Sequence, residues 1–545
     1  MGNRRFLKGA LLLSASMFAT KLLGALYVIP FQRLVGEKGM ALYNYAYIPY
    51  ALFISLSTLG IPVGISKFIA KYNAEGAYDT SRKIFKLGLL FMGILGLLGF
   101  LLLYFLAPWY ARLVLGAGGG TVNTVEDVTL AIQMISFALL IIPPMAIIRG
   151  FFQGNRDMMP TSVSQFIEQV VRIIFILVGA FYIINIRGGS QRNAVAFSVF
   201  SAFLAGVASL GVLTYFWFKN KKKYDALLDE IVPHENHDVK KLFPELISYA
   251  IPFAVLGLAA NLFQLIDQVT FNHFMRASGV SESISQATLG VYGASLFKII
   301  MIPVSFAIAF GQPLIPELTQ HVANGNKKGI QRVLTLAIQL TCFITIPAVF
   351  GISLLSEPIF FIFVSSQMPE INAIGGQIFG LGAFIGLGMA LYSITTAILQ
   401  GIGEQKRGII FLGISLLIKL VGNITLIYFF QVNGAIISTL MAYLFCITMN
   451  LIVIRNKTKF KFKNLFRRIT PILVFGGIMA IVVSLLMRLL NQFISYQGSG
   501  MLSAIYVGIA GTAGAIVYFG LCWYFDLFEN FGIKVPGLTR FKKKN

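Results

Sequence analysis

Residues 87–107 read LGLLFMGILGLLGFLLLYFLA, an apolar run with no charged residue and no proline. A helix rises about 1.5 Å per residue and the hydrocarbon core of a bilayer is about 30 Å thick, so about 20 such residues span it. The run is apolar on every face, whereas a barrel strand alternates in and out over about ten residues. The same ruler, carried outward along the 545 residues, finds fourteen runs: 10–31, 42–65, 87–107, 128–150, 162–185, 194–218, 246–271, 288–312, 333–356, 374–400, 408–430, 434–454, 470–492 and 502–525. Composition agrees, with 57% hydrophobic and 12% charged residues against roughly 45–50% and about 25% in a soluble protein. A soluble fold could not bury that much apolar surface and still cover itself with so few charges. A soluble enzyme, a disordered chain and a secreted disulfide scaffold are excluded. The predicted fold is an all-α integral membrane protein of 14 transmembrane helices.

The net charge of +23 raises the question of a nucleic-acid partner, and the placement of the basic residues answers it. With the N-terminus inside, the inner segments hold 33 of the 44 Lys and Arg and the outer segments hold 7, while Lys21, Arg172, Lys298 and Lys419 lie within spans. Basic residues collect on the cytoplasmic side, so both termini are expected there and no nucleic acid is needed. Arg4, Arg5 and Lys8 precede an apolar run that continues past Lys21 to Ile29. That is longer than the apolar core of a signal peptide, so a retained first span is expected. Cys342, Cys446 and Cys522 fall within spans and read as packing residues; His234 and His237 lack further ligands, so no metal site is expected.

Two polar stretches divide the chain. The expected organisation is an N-lobe of helices 1–6 (1–218), a cytoplasmic linker (219–245), a C-lobe of helices 7–12 (246–455), a basic linker (456–468), helices 13–14 (469–526) and a basic tail (527–545). An internal echo supports two six-helix lobes related by a pseudo-twofold axis. Gln153-Gly154 at the end of span four recurs as Gln400-Gly401 at the end of span ten, and the same offset carries Arg172 onto Lys419. Parallel repeats of this kind build several transporter families.

Charges within a span cost about 2.5–3.5 kcal/mol each on insertion scales, so they face an interior or a wet cavity. Lys21, Glu168, Arg172, Asp267, Lys298 and Lys419 are the candidates. Glu168 and Arg172 share a helix face four residues apart and can pair, for packing or for transport. The remainder is basic-rich, with Asp267 the one acid, which favours an anionic cargo over a cation-coupled pump. Lys419 either neutralises Asp267 or meets the cargo.

RGFFQG (149–154), VSQFIEQVVRIIF (163–175), SKFIAKYNAEGAY (66–78) and AILQGI (397–402) resemble the polysaccharide-export branch of the multidrug/oligosaccharidyl-lipid/polysaccharide flippase superfamily, and within it the MurJ/YtgP-type lipid II flippases. The resemblance covers essentially the whole chain. It implies a V-shaped pair of lobes, alternating access to a cationic central cavity, and a groove for a polyprenyl tail formed with helices 13 and 14. It also implies a monomer in the plasma membrane of a Gram-positive bacterium, moving undecaprenyl-pyrophosphate-linked disaccharide-pentapeptide (lipid II) outward. The surrounding partners would be membrane lipids and the cell-wall synthesis machinery. By motif, Lys21 in TKLLG falls at the family's first helix-one arginine and Lys298 in SLFKIIMIP at its helix-eight arginine. The second helix-one arginine falls on Tyr27, and helix two has no basic residue between 42 and 65. Arg149 and Arg156, at the inner mouth, are the candidates to compensate. Some relatives hold sodium with an acid on helix seven and polar groups on helix eleven. Asp267 fits the first role, but Lys419 lies where a ligand is expected, so its ammonium would replace the ion. No cofactor and no catalysis are implied, and membrane potential would be the drive. A flippase for another polyprenyl-linked glycan shares all these features. A cation-coupled drug exporter would need more acids in its spans, and a glycosyltransferase would need a catalytic acid near the surface, for which Glu357 and Glu370 are the candidates.

Overall fold

The computed structural model describes residues 19–20, 23–24, 26–58, 61–116, 122–155, 157–229, 251–252, 254–364, 368–493, 495–497 and 499–528. Among them all regular structure is helical and no strand occurs. Ten helical stretches among the described residues are long and apolar enough to cross a membrane. Span one lies largely outside the described residues; Val28–Thr58, from span two, is not among the ten, nor is Ala259–Ala277, from span seven, which carries Asn261, Asp267, Gln268 and Asn272.

Spans eleven and twelve fall within one helical stretch, Gln405–Thr458, which breaks at Gln431 with φ 52° and ψ −131°. Gly434 lies directly on the Leu426 carbonyl, leaving no room for a side chain, and Lys419 Nζ donates to Ala435 O at 2.9 Å. The chain therefore doubles back at Gln431. A similar break occurs at Gly36 (φ 66°) inside Val28–Thr58, a left-handed conformation that glycine adopts without steric cost.

Backbone proximity groups the chain into two compact units, Met1–Lys298 with Leu412–Ala435, and Ile299–Phe411 with Ile436–Asn545. In the first unit, Thr124 and Asp127 cap Val125–Ser136 reciprocally, the Thr124 hydroxyl accepting from Asp127 N at 3.2 Å and the Asp127 carboxylate from Thr124 N at 2.9 Å. This satisfies two of the donors that a helix start leaves open. That helix tightens into a short 3-10 turn, Phe137–Leu140, before Pro143 and Pro144 open Ile142–Gly154, where a missing N–H does no harm. Leu90, Phe105 and Trp109 on Tyr78–Leu115 stand exposed, while Gln268, Asp267 and Lys419 are buried. Apolar outside and polar inside is the distribution that a lipid surround demands.

In the second unit the last two helices, Phe462–Leu490 and Gly500–Tyr524, pack on each other, and the Tyr518 hydroxyl donates to Phe343 O on Lys327–Leu354 at 2.9 Å. Glu357 accepts from Tyr496 and Gln497 in the loop joining that pair, so it has a fastening role there. The turn before the pair is also fastened. Lys459 adopts a left-handed conformation (φ 53°), Gln331 Nε2 donates to Thr458 O at 3.1 Å, and Lys461 N donates to Gln331 Oε1 at 3.2 Å. Cys342, Cys446 and Cys522 are buried thiols, in no disulfide among the described residues.

The two Gln-Gly motifs have alike surroundings, each within its own unit. Gly154 closes Ile142–Gly154, and a Cβ there would lie 2.8 Å from Ile69 and from Ser66 O. Gly401 closes Pro369–Gly401, where a Cβ would lie 2.9 Å from Leu318 Cδ2. Both helices end against a neighbour, Gly154 on backbone and Gly401 on the Leu318 side chain.

Candidate functional site

The first unit gathers most of the intramembrane charge. Val28–Thr58 contains ALYNYAYIPY (41–50), which places Tyr43, Tyr47 and Tyr50 on one face by their spacing of four and three residues. Tyr43 and Tyr47 stack with ring centroids 5.7 Å apart, Tyr47 and Tyr50 follow at 6.0 Å, and the Tyr27 hydroxyl lies 3.2 Å from that of Tyr43. Lys298 Nζ stands 4.9 Å from the Tyr47 ring centroid and 5.9 Å from that of Tyr27. No carboxylate among the described residues forms an ion pair with this half-buried lysine. Its charge is held by aromatic faces, a contact that gains strength as water is excluded and leaves the ammonium donors available to an anion. Tyr27, the position where the resemblance expects an arginine, is thus part of the seat of a lysine from another helix.

Arg149, Glu168 and Arg172 form a second group. Glu168 Oε2 accepts from Arg149 Nη2 and Oε1 from Arg172 Nη2, both at 2.8 Å. Arg149 is committed further, with Nε donating to the Ser164 hydroxyl at 3.0 Å and Nη2 to the Ser209 hydroxyl at 2.7 Å. It joins Ile142–Gly154, Met159–Phe181 and Gln191–Asp229. Among the described residues, the side chain of Arg172 bonds to Glu168 alone, and its buried Nε has no hydrogen-bond acceptor.

The third group is the buried pair Asp267 and Lys419, whose side chains are 3% and 0% exposed and 2.5 Å apart. Asp267 Oδ2 accepts from the Tyr292 hydroxyl at 2.9 Å, and Oδ1 from Asn423 Nδ2 at 2.9 Å. Asn423 also reaches the Thr270 hydroxyl at 2.7 Å. Lys419 neutralises Asp267, and its ammonium occupies the centre of the polar cluster. Tyr292 belongs to a π-helical turn, Val291–Leu296, immediately before Lys298. Such turns insert one residue into a helix and recur at functional positions. The Ser295 hydroxyl in the same turn donates to Gln32 Oε1 at 2.6 Å. Lys21 and Arg156 lie outside the described residues.

The polysaccharide biosynthesis protein family model matches residues 6–322, and the MatE family model matches residues 269–425. Over 541 residues, 99% of each chain, the sequence is 38% identical to the Lipid II flippase MurJ of Bacillus subtilis (strain 168). The chain belongs to the MurJ family. Stage V sporulation protein B of Bacillus subtilis is a more distant relative, 26% identical over 340 residues, which cover 62% of this chain and 63% of that one. A solved structure of Lipid II flippase MurJ in an inward closed conformation superposes with a TM-score of 0.62 at 17% identity, covering 95% of this chain and 100% of that one. An inward-facing MATE transporter gives 0.66 at 15% identity over 83% and 98%. These two likenesses identify the fold as that of MurJ and the MATE transporters. Within this MurJ-family chain, the tyrosine ladder 43–47–50 and the Tyr292, Asn423, Ser164 and Ser209 partners are what sequence reasoning missed. The ladder had a signal in the spacing of its tyrosines; the others, single polar residues within apolar runs, had none.

Proposed function

We propose that this protein is a lipid II flippase, moving the undecaprenyl-pyrophosphate-linked peptidoglycan precursor from the inner to the outer leaflet of the plasma membrane by alternating access. The observation that carries the proposal is kinship over the whole length, 38% identity across 99% of both chains, with the Bacillus subtilis Lipid II flippase MurJ. Lys298, charged and without a carboxylate partner among the described residues, supports an anionic cargo. Desolvating a diphosphate in hydrocarbon costs far more than its lipid tail can offset. Lys298 and Lys21 would replace part of the lost hydration while the tail stays in lipid. With fourteen crossings in two six-helix lobes plus two helices and both termini cytoplasmic, as the 33 to 7 split of basic residues favours, the cargo's negative charge moves outward. In a cell with a negative interior that direction gains about 2.3 kcal/mol per charge per 100 mV. The emptied, cationic site is drawn back by the same field, so membrane potential suffices as the drive.

The test is depletion of the protein in growing cells that lack a second flippase, followed by an enzyme that cleaves lipid II only at the outer surface. Lipid II that accumulates uncleaved supports the proposal; normal cleavage refutes the cargo. The family model of polysaccharide biosynthesis proteins over residues 6–322 favours a second reading, a flippase for another polyprenyl-linked glycan, and normal cleavage would point there.

Transport is expected to need no sodium, because the Lys419 ammonium sits on Asp267 and is held by Ala435 O. Replacing sodium by N-methylglucamine at a clamped membrane potential should leave the flipping rate unchanged in reconstituted vesicles. Loss of transport under that exchange would show that the lysine does not stand in for an ion.

A further inference from the structure

The two arginines on Glu168 are not equivalent. Arg149 has three side-chain partners from two neighbouring helices and is fixed. Arg172 is attached through one Nη2 only, and its Nε is a buried donor without an acceptor among the described residues. A buried donor left unbonded is costly and rare in folded proteins. Two guanidiniums on one carboxylate leave the group with an excess positive charge, and the guanidinium of Arg172 is the less committed end.

Its surroundings belong to the Lys298 cluster. Met159–Phe181, which carries Arg172, packs against Val28–Thr58, which carries Tyr43, Tyr47 and Tyr50, while Lys298 lies against Tyr47 and Tyr27. One turn before Arg172, Gln169 Nε2 comes within 3.3 Å of where a Cβ on Gly24 would be. The face that carries Arg172 therefore lies against the first helix beside Tyr27. A polyprenyl diphosphate joined to a sugar bears one negative charge on each phosphate. Lys298 offers one cation to such a group, and its neighbour Tyr27 offers none.

We infer that Arg172 is the second phosphate-binding cation of this site, held in reserve by Glu168, and that it exchanges that carboxylate for a phosphate oxygen when the diphosphate enters. The inference rests on the reading of the cargo as a polyprenyl diphosphate and deepens it. A guanidinium suits the role because its planar fork can present Nε and an Nη together to two oxygens. Glu168 then acts as an internal counter-anion. It keeps Arg172 in place in the empty protein and competes with the cargo for it, which limits affinity and favours release.

The competition gives the test a sign that a purely structural ion pair would not have. Full-length protein in lipid nanodiscs is titrated with undecaprenyl pyrophosphate, lipid II and uncharged undecaprenol. Arg172→Gln should weaken binding of both diphosphates by about tenfold or more and leave undecaprenol binding unchanged. Glu168→Gln, with Arg172 freed, should bind the diphosphates more tightly than the wild-type protein, and Arg172→Lys should fall between wild type and Arg172→Gln. Wild-type diphosphate affinity in a folded Arg172→Gln protein would overturn the inference. So would a folded Glu168→Gln protein that binds no more tightly, and this arm stands even if Arg172→Gln fails to fold. Arg172-dependent binding of undecaprenyl pyrophosphate in a protein that does not flip lipid II would uphold the cation site and refute the cargo. Intact lipid II flipping with indifferent Arg172→Gln and Glu168→Gln variants would do the reverse.

Discussion

Lys298→Gln is expected to abolish lipid II exposure at the outer surface while the protein still inserts and unfolds at nearly the wild-type temperature. The half-buried ammonium is seated over Tyr47 and Tyr27 and has no ion pair with a carboxylate among the described residues, so its removal strands no buried partner charge. What is lost is the charge itself. A hydrogen bond to a charged group is worth about 1.5–3 kcal/mol, which corresponds to a drop of roughly tenfold to a hundredfold in affinity for the diphosphate. Lys298→Arg should keep much of the activity, because a guanidinium also lies well on aromatic faces. The check is the outer-surface cleavage assay in cells carrying each variant as the sole copy, with protein levels and thermal unfolding measured alongside. Full activity of a well-expressed Lys298→Gln protein would remove Lys298 from the binding site.

The second large effect is on stability. Lys419→Met leaves Asp267 without its cation in a buried site. Breaking one side of a buried ion pair costs about 3–5 kcal/mol, whereas replacing both members by apolar residues is often close to neutral. Lys419→Met is therefore expected to lower the unfolding temperature in detergent sharply, and Asp267→Leu combined with Lys419→Met should recover most of the loss. The recovery will be incomplete, because Tyr292 and Asn423 donate to Asp267 and lose their acceptor. Additive losses in the double variant would show that the two side chains do not act as a pair. Since Tyr292 lies in the π-helical turn just before Lys298, the single variant should also slow transport more than its folded fraction accounts for.

Much of the architecture is legible from hydropathy alone, because the bilayer imposes one length on every crossing. The apolar runs at 87–107 and 374–400 each fall within a single helix, and the run at 502–525 overruns its helix by one residue. The reversal at Gln431 was legible as a gap between two runs, although nothing about a glutamine announces a positive φ; contacts across the turn, not local preference, hold it there. Single charges inside spans were legible for the same reason, since each is an exception in an apolar background. Their partners were harder to read. The pairing of Glu168 with Arg172 follows from helix spacing, but Arg149 joins them from another helix, and spacing is silent on that. Asp267 and Lys419 lie 152 positions apart in the numbering, so charge balance could suggest their pairing without placing Tyr292 and Asn423 around it. The tyrosine ladder escaped because tyrosines in a membrane span read simply as apolar bulk.

The seat of Lys298 has a spectroscopic consequence. Protons above the face of an aromatic ring are shielded by its ring current, and among the described residues Lys298 is the lysine that stands over two rings, whereas Lys71 and Lys219 each face one. In protein labelled with carbon-13 at the lysine ε position, its methylene signal should resonate upfield of the solvated lysines and resist paramagnetic agents in the water. An anion that draws the ammonium off Tyr27 and Tyr47 would move that signal back toward the crowd. The protein thus carries its own reporter of occupancy, readable during a titration without attaching any probe.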